Sequence, residues 1–386
     1  MLNCLKDEFS LPANITYLNC ASRSPLSKAV ELAALRGISR ELHPHLIKEQ
    51  DFFEEPGQLR KAYARLINCR EPERIVIIPS VSYGMATVAK NVNINSGGKI
   101  ILVGEEFPSN VYVWHRLCGE RGASVQHIPA PESFESRGQR WNERILEAID
   151  SRTRLVAISH VHWTDGTLFN LAAIRQRTRE VGALLVVDGT QSVGALPFDI
   201  QQFQPDALIC AGYKWLMGPY SVGLAYYNEH FDEGTPLEEN WINRHASEDF
   251  SRLVDYQSAY RPKALRYEMG ERSNFILLPM LLTAIEQLNE RGVIAIQDYC
   301  RHLTVEPIKK LRKIGCLIEE DALRGGHLFG IALPKGISLE KLKSSLSRNE
   351  IFVSFRGQSV RISPNVYNDS KDMSTLVDCM QEVIEG

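Results

Sequence analysis

The sequence predicts an α/β fold, a doubly wound and mostly parallel sheet followed by a smaller C-terminal α+β domain. Three observations carry this expectation. Short, almost wholly apolar runs at 75–78, 155–158, 184–187 and 207–210 read as strands buried on both faces. Helical stretches with an apolar stripe alternate with them, the pattern of a parallel sheet. After about residue 230 the alternation stops, and two helices are followed by several strand-like runs and a final helix.

The 386 residues are enough for two domains. With 44% hydrophobic and 24% charged residues the composition is that of an ordinary soluble protein. A formal net charge of −3 gives no electrostatic case for nucleic acid or an anionic membrane. The eight cysteines are scattered without CxxC pairs, which favours reduced thiols over a disulfide framework or zinc site. The first residues lack an apolar signal core, and no run reaches about 18 apolar residues. A cytoplasmic protein is expected.

Taken in order, residues 1–24 form an irregular arm. Ser24-Pro25 opens a helix, with proline at its first position. Val30, Ala34, Ile38 and Leu42 recur every four residues and predict its core-facing stripe. A second helix is expected over 57–68. After the 75–78 strand, Pro79-Ser-Val-Ser-Tyr-Gly84 leads straight into a helix. Free N–H groups and a positive dipole end suit a phosphate there, although a hydroxyl-capped turn without ligand explains the same residues.

The strand at 99–103 ends in Gly104-Glu-Glu-Phe107, and a helix closing at Gly122 precedes a strand at 125–128. Residues 130–140 are a polar loop before a helix over 141–149. The 155–158 strand ends in Ser159-His-Val-His-Trp163, and a helix over 171–181 leads to 184–187. Runs at 207–210 and 223–227 complete the sheet. A polar surface excursion fills 232–262. Helices over 275–291 and 297–314, strands at 316–318, 328–332, 352–355 and 360–362, and a helix from Met373 follow. The expected division is an arm (1–24), a large domain (25–260) and a small domain (261–386).

Ligands of an open α/β sheet bind beyond the carboxyl ends of its strands. That edge receives Asp188, Lys214, Gln191, Phe107, the hydroxyl-rich turn and the cluster His160, His162, Trp163. Pyridoxal 5′-phosphate uses these chemical types together: a lysine for its aldehyde, a carboxylate for its ring nitrogen, an anion cradle and a flat partner. Taken singly, Asp and Lys at strand ends are also ordinary caps and surface groups. No GxGxxG follows 75–78, which weakens a nicotinamide-dependent alternative. No third ligand at a typical spacing implies a metal.

Two segments narrow the reading. Val187-Asp-Gly-Thr-Gln-Ser-Val-Gly-Ala-Leu-Pro-Phe-Asp199 and Ala211-Gly-Tyr-Lys-Trp-Leu-Met-Gly-Pro-Tyr-Ser-Val-Gly223 resemble the signature segments of the class V aminotransferase family. This group of fold-type-I pyridoxal phosphate enzymes includes cysteine desulfurases, selenocysteine lyases and isopenicillin N epimerase-like proteins. The resemblance runs from about Tyr17 to the C-terminus. It implies that Lys214 is the lysine joined to the cofactor, Asp188 the ring-nitrogen partner and Gln191 a hydrogen-bond partner of the 3′ oxygen. Val81 and Ser82 fall at the family's phosphate turn, and Tyr213 matches a phosphate-contacting neighbour of the lysine. Phe107 stands where many relatives stack a histidine on the ring.

Gly270-Glu-Arg-Ser-Asn-Phe275 resembles a segment that reaches the neighbouring subunit's site in family homodimers, so Arg272 or Ser273 would hold a partner's phosphate; a helix-start cap is the alternative. Val360-Arg-Ile-Ser-Pro resembles the motif whose arginine binds the substrate carboxylate, which implies that role for Arg361, with Arg356 as a second candidate. An ordinary strand arginine is the alternative for each.

The departures limit the reaction. Ser354-Phe-Arg-Gly-Gln-Ser359 occupies the place where cysteine desulfurases carry their nucleophilic cysteine, and 317–378 contains no cysteine. His162-Trp163 stands where relatives often carry an asparagine, altering the substrate pocket. His160 and His162 read as proton carriers or as polar fillers. The expected protein is a homodimeric enzyme acting on a small-molecule amino acid substrate, as an aminotransferase or a C–S/C–Se β-lyase. An epimerase and a non-catalytic binding protein are the alternatives.

Overall fold

Local capping sets several helix boundaries in the computed structural model, which describes residues 2–134, 136–357 and 359–386. The first half contains β1 (Thr16–Tyr17), α1 (Lys28–Glu41), α2 (Asp51–Leu66), β2 (Ile75–Ile78), α3 (Val81–Asn91), β3 (Lys99–Val103), α4 (Tyr112–Arg121), β4 (Ser124–Ile128) and α5 (Arg137–Ala148). Then come β5 (Thr153–Ser159), α6 (Leu171–Glu180), β6 (Leu184–Asp188), α7 (Ile200–Phe203), β7 (Ala207–Ala211) and β8 (Gly223–Tyr227). The remainder holds α8 (Leu277–Arg291), α9 (Val293–Lys313), β9 (Phe329–Ala332), α10 (Leu339–Arg348), β10 (Ile351–Phe352), β11 (Ser354–Arg356), β12 (Ser359–Ile362) and α11 (Ser370–Glu385). Ser27, Ser80 and Asn170 accept backbone N–H groups at the starts of α1, α3 and α6. Asp369 and Asp372 cap α11 reciprocally.

The seven-stranded sheet runs β2-β8-β7-β6-β5-β3-β4, and β8 alone is antiparallel to its neighbours. This is the mostly parallel α/β sheet that the apolar runs predict. Ile75 and Ile77 enter the core on one face of the sheet, Val76 and Ile78 the core on the other. Burial on both faces explains why such strands read as continuous apolar runs.

A third core joins β9, β12, α10 and α11 with Ile308 and Leu311 of α9. Helix α8 and the N-terminal part of α9, through Leu281, Ile285, Ile296 and Cys300, instead pack with the large sheet. The smaller core therefore begins within α9 and not at residue 261. Leu18 of the N-terminal arm also joins it, beside the parallel pairing of β1 with β10.

Several boundaries differ from expectation. Helix α1 begins at Lys28, after the Ser27 cap, and buries Val30, Ala33 and Gly37. Ile38 and Leu42 are exposed, alongside Leu32, Leu35 and Leu46. The helix is apolar on two sides, so a four-residue spacing does not identify the core side. Helix α2 starts at Asp51 because Phe52 and Phe53 join an aromatic cluster with Trp241, Phe250 and Phe275. The expected strand at 316–318 is a single bridge, Leu317 to Ala332. The run at 352–355 is divided between two sheets, β10 pairing with β1 and β11 with β12.

Two glycines set close approaches. A Cβ at Gly37 would lie 2.4 Å from the Phe275 carbonyl oxygen, so α1 rests directly on the chain entering α8. Gly194 has φ +101, and a Cβ there would lie 2.3 Å from the Trp215 carbonyl oxygen, which ties the two signature segments together. Gly37→Val is expected to lower stability by about 2 kcal/mol through overpacking. The check is a reduced denaturant midpoint at unchanged slope.

Candidate active site

The carboxyl ends of β2, β3, β5, β6 and β7 open onto one cavity of about 370 Å³. Asp188 ends β6, and Lys214 lies three residues beyond β7. Both are buried and both line the cavity. Asp188 Oδ1 accepts the Thr190 N–H at 2.9 Å. Thr190 Oγ1 in turn accepts the Ala211 N–H at 3.1 Å, so the ends of β6 and β7 are fastened side by side.

Burial raises the Asp188 carboxyl above its ordinary range, against the opposing charge of Lys214. Burial also pushes the Lys214 amine down to about 8, with Arg361 and Arg356 adding to the effect. Among the described residues Lys214 Nζ has no hydrogen-bond partner; it lies 5.1 Å from the Phe107 ring centre and 5.6 Å from that of Tyr213.

Val81 and Ser82 line the cavity at the first turn of α3. Their N–H groups have no acceptor among the described residues, and the Ser80 and Ser82 hydroxyls lie 2.9 Å apart beside them. Gln191 Oε1 accepts from Trp215 Nε1 at 2.8 Å, while its Nε2 donates to the Ala21 carbonyl at 3.0 Å. Trp163 packs edge-on against Phe107, ring centres 5.3 Å apart, and its Nε1 donates to the Glu105 carbonyl at 2.6 Å.

Arg361 lies on β12, 1% exposed. Its Nη1 donates to the Trp163 carbonyl at 2.8 Å and its Nη2 to Ser354 Oγ at 3.3 Å. Its buried Nε has no partner, and no carboxylate lies within 4 Å among the described residues. Burial pulls this guanidinium down to about 9.

Four of the residues singled out in the sequence stand away from the cavity wall. His162 does not line the cavity: its ring lies wholly buried against Trp141, Nε2 facing the Gly104 carbonyl at 3.2 Å and Nδ1 facing Asp165 Oδ1 at 3.3 Å. Burial opposes its charge, but Asp165 and Glu106 lift its pKa above the ordinary value. It holds the turn that presents Trp163. His160 lies between Phe198 and Phe203, pushed down to about 3 by burial, and is likewise absent from the cavity wall. Arg272 and Ser273 make their contacts within their own chain. Arg272 is fully enclosed by its own chain, paired with Glu268 and donating to the Phe52 carbonyl at 2.8 Å, and Ser273 Oγ donates to the same carbonyl at 2.7 Å.

Among the lining residues that the sequence reading does not single out is a second carboxylate. Glu106 is buried, each oxygen accepting a backbone N–H, from Phe107 at 2.8 Å and Ser159 at 2.9 Å. Its position just past a parallel strand, like that of Asp188, was the available signal.

Residues 41–376 match the family model for aminotransferase class-V. The chain belongs to the class V aminotransferase family. A Bacillus subtilis (strain 168) protein named uncharacterized aminotransferase YcbU is 25% identical over 320 residues, 83% of this chain and 81% of that protein. A cysteine desulfurase of Escherichia coli O157:H7 is 28% identical over 264 residues, 68% of this chain and 63% of that enzyme. Among solved structures, the E. coli cysteine desulfurase CsdA has a TM-score of 0.82 at 20% identity, covering 98% of this chain and 97% of that one. The cystine C-S lyase C-DES, solved with its product cysteine persulfide, has a TM-score of 0.84 at 20% identity, covering 96% and 98%. These two share the fold. As a class V family member, the chain is a pyridoxal 5′-phosphate-dependent enzyme acting at Cα or Cβ of an amino acid, of aminotransferase or C–S lyase type. No helix among the described residues is long and apolar enough to cross a membrane.

Proposed function

We propose that the cavity at Lys214 is the cofactor site, and that the enzyme removes the Cα proton of an amino acid for transamination or β-elimination. One observation carries this reading: Asp188 and Lys214 are buried in the same cavity, and neither has an ion-pair partner within 4 Å among the described residues. Buried ionisable groups left unpaired are costly, so a ligand that completes both is favoured there.

The residues present fit pyridoxal 5′-phosphate. When bound, it supplies a carbonyl that condenses with amines and a ring that accepts the electron pair released at Cα. The unpartnered Val81 and Ser82 N–H groups, with the Ser80 and Ser82 hydroxyls and Tyr213 nearby, receive the phosphate. Asp188 holds a proton on the ring nitrogen. Gln191 keeps one N–H for the 3′ oxygen, its other being taken by Ala21. Phe107 supplies the flat contact. Arg361 binds the substrate α-carboxylate, which provides the counter-ion its guanidinium lacks.

Lys214 Nζ moves the Cα proton. His160 and His162 are kept from the cavity, and both oxygens of Glu106 are engaged by backbone, which leaves one suitable base. A single base favours transamination or elimination over two-base epimerisation. No cysteine lines the cavity among the described residues, so a persulfide-forming route lacks its nucleophile. The exposed Leu32, Leu35, Leu42 and Leu46 of the first helical region support a homodimer, and eight free cysteines support a cytoplasmic setting.

The purified protein is expected to be yellow, with borohydride fixing the cofactor on Lys214 in a peptide map. A colourless protein that takes up no pyridoxal phosphate sinks this reading. Products from an amino acid panel then separate the reactions: ketoacid with aminated cofactor for transamination, pyruvate with a released β-substituent for elimination.

A further inference from the structure

Strands β11 and β12 bring two arginines to one face. Ser354 pairs with Arg361 and Arg356 with Ser359 across the antiparallel ladder. Residues two apart on a strand share a face, and so do directly opposed partners. Arg356 therefore lies on the same side as Arg361, and Ser354 Oγ between them accepts from Arg361. Both arginines meet Trp163: Arg361 through the carbonyl, and Arg356 through its guanidinium, 5.1 Å from the indole ring centre. Trp163 is the residue that closes against Phe107 over the cavity.

Neither arginine is neutralised. Among the described residues no carboxylate lies within 4 Å of either, and the segment 351–363 contains no Asp or Glu. The Nε atoms of both are buried without a partner. Among the described residues Arg356 donates from Nη1 to the neighbouring Phe355 carbonyl at 2.8 Å. The charges of the two arginines also oppose that of the Lys214 amine, and Trp163, which both touch, lines the cavity. One substrate α-carboxylate satisfies one guanidinium fork; the second cation is left over.

We infer that Arg356 and Arg361 together select an amino acid whose side chain ends in a second oxyanion, with Arg356 binding that group beside Trp163. This rests on the reading of Arg361 as the α-carboxylate partner. The contact with Trp163 positions the Arg356 guanidinium, and its Nη2, which has no partner among the described residues, is left to donate to a carboxylate or phosphonate. Trp163 is in turn held by Glu105 and by the buried His162 turn. Amino acids with neutral side chains leave Arg356 without an anion and are disfavoured.

The test is calorimetric titration of the holoenzyme with amine-free acids, which bind without reacting: succinate, 3-phosphonopropionate and butyrate. Succinate or 3-phosphonopropionate is expected to bind at least about tenfold more tightly than butyrate, as one charged bidentate contact implies. The tighter of the two tells which oxyanion fits. Arg356→Gln is expected to bring the dianions within about twofold of butyrate, while Arg356→Lys restores part of the preference. Arg361→Gln is expected to weaken all three. Unchanged melting temperature and cofactor absorbance establish that each variant is folded. Equal binding of succinate, 3-phosphonopropionate and butyrate by the unmodified enzyme overturns the inference, as does a preference that survives Arg356→Gln. Binding of all three that is unaffected by Arg361→Gln overturns the underlying reading of Arg361 as well.

Discussion

Lys214→Ala is expected to lower turnover by about 10²–10⁴-fold, the span that a positioned proton carrier contributes. The side chain has no structural partner to lose, since its Nζ makes no hydrogen bond among the described residues. Its charge is resisted by burial, so removing it relieves a cost. The variant should therefore melt no lower than the parent and still take up the cofactor. Steady-state product formation and a thermal melt check both halves. A variant that turns over normally, or that fails only because it unfolds, refutes the role.

Asp188→Asn is expected to cost about 10²–10³-fold in kcat, the range for removing one preorganised electrostatic contact. The amide oxygen can still accept the Thr190 N–H, so the link to Ala211 and β7 should persist. What disappears is the negative charge that stabilises a protonated ring nitrogen. Burial lifts the Asp188 carboxyl despite the charge of Lys214, and a positive ring beside it opposes that trend. Loss of turnover should thus come with a changed cofactor absorbance band. Full activity with an unaltered spectrum is the result that removes Asp188 from the mechanism.

The sheet was legible because its strands are buried on both faces, and the positions of Asp188 and Lys214 followed from where those strands end. The resemblance added assignments that spacing alone left open. Several of the failures share a cause, in that they depended on which way a side chain turns. His162 and Trp163 are neighbours, yet Trp163 faces the cavity while His162 folds back beneath Trp141. Arg272 follows Glu268 by four residues, and the pair is sealed inside the chain, which nothing local in the Gly270–Phe275 motif reveals. Helix α1 presents apolar residues on two sides, so periodicity could not say which side meets α8.

Helix α9 is a lever. Its 21 residues span about 31 Å at the usual rise, with Ile296 and Cys300 seated in the core of the large sheet and Ile308 and Leu311 in the core that carries Arg361. Gln297 pins the near end, donating to the Ala195 carbonyl and accepting the Gly326 N–H. A rod of this length tilted by one degree sweeps its far end through about 0.5 Å, which is the whole tolerance of a reacting geometry. The spacing between amine and guanidinium therefore depends on packing outside the cavity, where α9 is seated around Gln297.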